Sequence, residues 1–250
     1  MKFDGEKKYI GSCCGNSFVI FDCRNIELDK QDKIDLSSKD ITEYKVDSAL
    51  FINNTEDLDI SIEIFEKDGS ESEFCGNGII LIANFLGLNS RTVKMRAGAV
   101  YVEGNAEKQA ILMDTKLSTL EKLGEKNCLF IKMGEPHVIY LTYDLNKFDL
   151  IKTGKDLQKN YPNGVNVNAI QKIDGLHYLI RTYERGVLAE TKSCGTGSLS
   201  SYIAISHFDN KDYQEQIEFE SVGGNHWVSK TGNMLRLETL KKYCRIKALY

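Results

Sequence analysis

Only two prolines occur among 250 residues, and no low-complexity linker interrupts the chain, so a proline-rich spacer or fibrous architecture is excluded. No segment approaches the roughly 18 consecutive apolar residues that a membrane-spanning helix requires. The opening "MKFDGEKKYIG" lacks the uninterrupted apolar core of a signal peptide, and a cytoplasmic location is expected. Neither sign of charge dominates: 32 Lys and Arg against 36 Asp and Glu give a net charge of −4, with a pI near 5.7. The basic residues are scattered, so there is no electrostatic footprint for nucleic acid or an anionic membrane, and the expected partners are small molecules. Cys-x-x-Cys is also missing. The seven cysteines are expected to be thiols in a reducing compartment. Adjacent Cys13 and Cys14 suit neither a strain-free disulfide nor two ligands of a tetrahedral zinc site, and no structural metal is expected. Cys23, Cys128 and Cys244 stand among apolar or aromatic neighbours, where a buried, inert thiol is expected.

What is present is a core-forming chain, 42% hydrophobic and 27% charged, long enough for one large core or two smaller ones. It also carries one short phrase twice. "EFCGNGII" runs from Glu73 to Ile80 and "KSCGTGSL" from Lys192 to Leu199, each a Cys-Gly-x-Gly followed by helix-forming residues. A β-rich stretch precedes each copy, "DISIEIFE" from Asp59 and "HYLIRTYE" from His177. The alignment of "FEKDGSESEFCGNG" with "YERGVLAETKSCGTG" extends the match: an aromatic residue, a glutamate, a base and a glycine-containing turn precede both motifs. Further strands are expected in "VKMRAGAVYVEG", "AILMDT", "NCLFIKM", "HVIYLTY" and "QIEFESVGGNHWVS". Few long helices are expected besides "IILIANFLG" and "SLSSYIAISHF", whose near-uniform apolarity describes buried central helices. The expectation is an α/β (α+β) chain of two pseudo-symmetric halves, residues 1–114 joined by a C-terminal strand at 241–250, and residues 115–240. The segment from Asp114 to Lys126 is the expected crossing between them.

Glycines on both sides of the third motif residue let the backbone turn sharply and aim several N–H groups outward where the helix begins. This makes an anion-binding concavity backed by the helix dipole. A cysteine at that point has its thiolate stabilised. One copy alone would suit a phosphate site, a redox thiol or a plain helix cap. Two copies in related halves bring two helix N-termini and two thiols to a common purpose, which a reaction with two mirror-related proton positions requires.

Six elements, in order, resemble the diaminopimelate epimerases and their relatives among the cofactor-independent amino-acid racemases: "GSCCGNSFVIFD", "DGSESEFCGNG", "MGEPHVI", "NGVNVNAI", "RTYERGVLAETKSCGTG" and "ESVGGNHWV". The resemblance implies two pseudo-symmetric domains, each a set of strands wrapped round a central helix. It implies an isomerase acting at the α-carbon of an amino acid without cofactor or metal, with Cys75 and Cys194 as the opposed acid and base. The amides of Gly76, Asn77, Gly195 and Thr196 would hold the α-carboxylate, Asn16 and Glu184 would lie near the substrate amine, and His137 would line the site. Enzymes of this kind are commonly homodimers.

By the same resemblance, Asn166 and Arg185 match residues that hold the distal carboxylate of diaminopimelate, which favours that substrate. Departures gather around the same end. Glu66 stands where asparagine is usual, Glu135 occupies a position that is Asn in some members, Val46-Asp47-Ser48 replaces a Gly-Asp-Gln run, Ser17 replaces an Asp, and Ile80 stands where Arg often occurs. Two added carboxylates favour a cationic side-chain end, so a racemase of histidine or another basic amino acid is the alternative. A cysteine hydrolase or redox enzyme using Cys194 with His137, and a noncatalytic carboxylate binder, are readings from other classes.

Overall fold

A computed structural model describes residues 7–124 and 127–249. In chain order the elements are β1 (Lys8–Cys13), β2 (Asn16–Asp22), α1 (Lys30–Tyr44), β3 (Ser48–Asn53), β4 (Ile60–Phe65), β5 (Glu71–Ser72), α2 (Gly76–Phe85), β6 (Arg91–Met95), β7 (Gly98–Gly104) and β8 (Lys108–Asp114). They continue with β9 (Ser118–Lys122), β10 (Cys128–Met133), β11 (Glu135–Leu141), α3 (Leu150–Gln158), β12 (Asn166–Asp174), β13 (His177–Glu184), β14 (Ala189–Thr191), α4 (Gly195–Phe208), β15 (Ile217–Ser221), β16 (Gly224–Thr231), β17 (Met234–Leu240) and β18 (Cys244–Leu249). The chain divides into two compact units, Met1–Ile111 with Leu240–Tyr250, and Leu112–Thr239.

Strand pairing in the first unit runs β18·β1·β2·β3·β4·β6·β7, and every neighbour is antiparallel except the parallel pairs β2·β3 and β4·β6. The second unit repeats this order as β9·β10·β11·β12·β13·β15·β16, with parallel pairs at the same two places, β11·β12 and β13·β15. The helices repeat too. α2 packs on β1, β2, β7 and β18, and α4 packs on β10, β11, β12 and β16, so that β1, β2 and β7 have their counterparts in β10, β11 and β16. The doubled motif is thus the visible part of a doubled topology. Each copy sits where a short strand, β5 or β14, hands the chain to the central helix.

Burial follows from this wrapping. β2 reads as a continuous apolar run because both its faces are covered. Val19 and Phe21 join Ala49, Phe51 and Phe65 in a cluster under α1, while Ile20 meets Leu81 of α2 close to Gly11. A Cβ on Gly11 would lie 2.9 Å from the Leu81 side chain, so glycine lets β1 approach the helix. Ile79, Ile80, Leu81 and Ile82 of α2 are all fully buried, each contributing roughly 1.5–3 kcal/mol relative to exposure. Ile80 is therefore a core residue. In α4, small residues including Ser198, Ser200 and Ser201 occupy the same role and let the strands close around it.

The two helices that sequence periodicity did not mark, α1 and α3, cover the outer side of β2–β4 and of β12–β14. Each begins at an aspartate whose carboxylate caps the first turn: Asp29 accepts from the Asp32 amide at 2.8 Å, and Asp149 from the Lys152 amide at 3.1 Å. The expected crossing segment holds β9, which pairs with β10 inside the second unit; its last two residues, Glu125 and Lys126, lie outside the described residues. Among the described residues no helix is long and apolar enough to cross a membrane.

Candidate active-site residues

Cys75 and Cys194 are the N-cap residues of α2 and α4, with nearly the same extended backbone, φ −144° and ψ 105° against φ −142° and ψ 115°. Capping favours Ser, Thr, Asp or Asn at such a position, so stability alone does not select cysteine twice. The first helical bonds run from the Ile79 amide to the Cys75 carbonyl and from the Ser198 amide to the Cys194 carbonyl, at 3.1 and 3.0 Å. The amides one to three residues after each cysteine therefore lie outside the helix's own bonding ladder and point along its axis. Cys75 is half-buried and Cys194 is 8% exposed.

In the first unit, Asn16 opens β2 and Asn77 lies in the first turn of α2. The Asn77 amide Nδ2 donates to Asn16 Oδ1 at 2.6 Å, and both residues are buried. Glu66 follows β4 as Arg185 follows β13. Its carboxylate accepts from the Ser48 hydroxyl at 2.9 Å and from the Ser72 hydroxyl at 2.6 Å, while its amide donates to the Ser70 carbonyl at 2.9 Å. The glutamate is thus held by β3 and β5 rather than turned out to solvent. The departure at Ser17 is tied to the Asp of the Val46-Asp47-Ser48 run: Ser17 donates to Asp47 Oδ2 from both its amide, at 2.7 Å, and its hydroxyl, at 2.8 Å.

The second unit contains a chain of hydrogen bonds ending on Cys194. The Thr182 hydroxyl donates to Asn168 Oδ1 at 2.8 Å, which fixes the amide so that Nδ2 faces His137 Nδ1, also at 2.8 Å. Because an amide nitrogen only donates, Nδ1 accepts, and the imidazole proton sits on Nε2, 2.9 Å from Thr196 Oγ1. Thr196 Oγ1 lies 3.3 Å from Cys194 Sγ, and it is the donor of that pair when the sulfur is ionised. Burial, and secondarily the charge of Arg185, lowers the His137 pKa to about 3, so the ring is neutral. A Cβ on Gly197 would fall 2.3 Å from Asn168 Oδ1, so the second glycine of the motif leaves room for this amide.

Arg185 lies just past the end of β13, beside Asn166 and Glu135. Its amide donates to Asn166 Oδ1 at 2.9 Å, one guanidinium nitrogen donates to the Asn163 carbonyl at 3.0 Å, and another forms an ion pair with Glu135. Glu135 and Asn166 are both buried. Glu184 accepts from the Thr191 hydroxyl across the β13–β14 hairpin at 2.5 Å.

The residues singled out in the sequence fall into these groups. Asn16, Cys75, Gly76 and Asn77 gather at the start of α2, with Glu66 tied to Ser48 and Ser72. His137, Cys194, Gly195 and Thr196 gather at the start of α4, with Asn166 joined to Arg185. His137 is fully buried, with its two ring nitrogens at hydrogen-bond distance from Asn168 and Thr196. Asn168, Thr182 and Ser72 were not singled out, and Ser48 was named only within the Val46-Asp47-Ser48 departure. Asn168 was within reach, because it follows Asn166 by two in a strand and buried polar residues rarely occupy one face twice without a shared network.

No protein-family model matches the chain. A diaminopimelate epimerase from Campylobacter jejuni subsp. doylei is 31% identical over 249 residues, covering 95% of each chain. Among solved structures, a phenazine biosynthesis protein of the PhzF family from Bacillus anthracis superposes with a TM-score of 0.71 at 15% identity, covering 97% of this chain and 98% of that one. A hydroxyproline epimerase from Agrobacterium vitis, with bound trans-4-hydroxy-L-proline, superposes with a TM-score of 0.67 at 13% identity, covering 100% of this chain and 92% of that one. The likeness to these structures carries the fold, two units of strands wrapped round a central helix, and the extent of the sequence match carries the kinship: the chain is an isomerase that belongs to the diaminopimelate epimerase family.

Proposed function

We propose that the protein inverts the α-carbon of a free amino acid by a two-thiol proton transfer, without pyridoxal phosphate, and that the amino acid is diaminopimelate. The observation that carries this reading is the pair of N-cap cysteines, each placed where helix geometry alone does not favour cysteine. An α-proton is very weakly acidic, and the charge released on its removal spreads into the carboxylate. Amides of Gly76, Asn77, Gly195 and Thr196, directed along two helix axes, are suited to hold that carboxylate as its charge grows. One cysteine must then act as thiolate and take the proton from one face, while the other, as thiol, donates to the opposite face. The Thr196 hydroxyl, held by His137, is placed to donate to Cys194 Sγ when that sulfur is the thiolate of the pair. Roles exchange in the reverse direction. Asn16 and Glu184 would receive the substrate amine.

The relatives' name supports diaminopimelate. A second reading is favoured by one specific observation: the guanidinium of Arg185 is already paired with Glu135, while the Glu66 carboxyl group accepts from two serines. A substrate ending in a basic group, such as histidine, lysine or arginine, matches that charge arrangement better than a second carboxylate. Incubation in deuterated water with LL-diaminopimelate and with the L-forms of these three amino acids decides between them, read as α-deuterium incorporation. Exchange of diaminopimelate supports the first reading. Exchange confined to a basic amino acid replaces it with the second, and exchange of none refutes both.

A further inference from the structure

Three thiols that the proposed reaction does not use lie together in the first unit. Cys13 ends β1, Cys14 and Gly15 form the turn of the β1–β2 hairpin at φ +48° and φ +83°, and Cys244 opens β18. Cys13 and Cys244 are direct partners in the antiparallel β1·β18 pair, and their sulfurs lie 3.0 Å apart. Directly opposed antiparallel residues have Cα separations of about 4.5–5.5 Å, inside the span a disulfide bridges. Cys244 therefore departs from the expectation of a buried, inert thiol. It is half-buried, and its sulfur is in contact with the fully buried Cys13 thiol. Cys23, one of the other thiols of this unit, shows the contrast: it packs in the apolar cluster under α1, and burial raises its pKa to about 12.

We propose that Cys13 and Cys244 form an oxidation site, a reversible disulfide that staples the last strand of the chain to its first hairpin. With a peroxide as oxidant the chemistry closes in two steps. The half-buried Cys244 thiol is oxidised to a sulfenic acid, one peroxide oxygen leaving as water. The Cys13 sulfur then attacks the sulfenic sulfur, the S–O bond breaks, an S–S bond forms, and the second oxygen leaves as water. Two thiols lose two electrons and two protons, and one peroxide becomes two waters. Hydrogen bonds to Cys14 and Cys244, together with burial, hold the Cys13 pKa well above its ordinary value, so Cys13 is unsuited to be the sulfur attacked by dissolved oxidant. Its role as the resolving sulfur depends instead on proximity. Among the described residues no group of three or more His, Cys, Asp or Glu side chains is arranged to hold a metal, so the cluster is not a metal cage.

The bond would close a loop spanning nearly the whole chain, since the two cysteines are 231 positions apart. Constraint of so long a loop raises the unfolding midpoint by on the order of 4–16 °C. The test treats the full-length protein with hydrogen peroxide, alkylates it under denaturing conditions and maps the cross-linked peptides by mass spectrometry with fragmentation. The expected product is a Cys13–Cys244 link, lost in Cys13→Ser and in Cys244→Ser and retained in Cys14→Ser. Thermal unfolding of the oxidised protein should rise by the stated amount, return on dithiothreitol treatment, and not rise in Cys244→Ser. A link running from Cys14, or no link to Cys244, overturns the proposal; a Cys13–Cys244 link with an unchanged midpoint overturns the staple. None of these readouts depends on epimerase activity.

Discussion

Thr196→Val removes one oxygen and leaves almost the same shape, so its effects isolate the hydroxyl between His137 and Cys194. The first effect is on stability. His137 Nε2–H, fully buried, loses its acceptor at 2.9 Å, and an unsatisfied buried donor costs about 1–3 kcal/mol. For a chain of this size each kcal/mol moves the unfolding midpoint by about 2–4 °C, so a fall of about 2–12 °C is expected. The second effect is on the chemistry. A hydrogen bond to a charged sulfur contributes about 1.5–3 kcal/mol, and its loss lowers kcat/KM by roughly 10- to 150-fold. Thr196→Ser keeps the hydroxyl and should stay close to wild type in both measurements. Differential scanning fluorimetry and α-deuterium exchange report the two effects separately. A valine variant with wild-type midpoint and exchange rate would refute the relay from His137 to Cys194.

Further outcomes follow from the same geometry. His137 has a folded-state pKa of about 3 against an ordinary 6.5, so as pH falls the unfolded chain takes its proton first. Its contribution is intact above pH 6.5 and is lost toward pH 3, at up to about 1.4 kcal/mol per pH unit; urea midpoints of His137→Gln between those limits should show a slope smaller by one proton. Gly154→Ala places a Cβ 2.4 Å from the buried Tyr183 ring, a strain of about 1–3 kcal/mol that exceeds the helix-propensity gain of about 1 kcal/mol, so its urea midpoint should fall. Glu135→Gln leaves the Arg185 charge without its counter-ion, and in a substrate competition it should shift exchange toward amino acids with an anionic far end.

Much of the architecture was legible because it repeats. Two Cys-Gly-x-Gly phrases, each after a β-rich stretch, correspond to β4–β5–α2 and β13–β14–α4, and the strand His177–Glu184 has the bounds its pattern suggested. α1 escaped notice because its inner face contacts the sheet through few apolar side chains, Ile34 and Ile41 among them, and the rest of the helix is polar. Its signal was the capping aspartate rather than periodicity. At the site, residue types pointed to the cysteines and to the amides after them. The relay that orients Thr196 was hidden because Asn168, Thr182 and His137 are far apart in sequence and meet only through the parallel β11·β12 pairing and the β12·β13 hairpin. The charge of Arg185 was read as available, and only the fold brings Glu135 against it.

The central claim is that each proton position at the α-carbon has its own thiol. Cys75→Ser and Cys194→Ser, each incubated in deuterated water with both configurations of the substrate identified for the wild type, test it directly. The account predicts that each single variant still binds substrate, measured by calorimetry, and loses net inversion. Full inversion of configuration by either variant would contradict it.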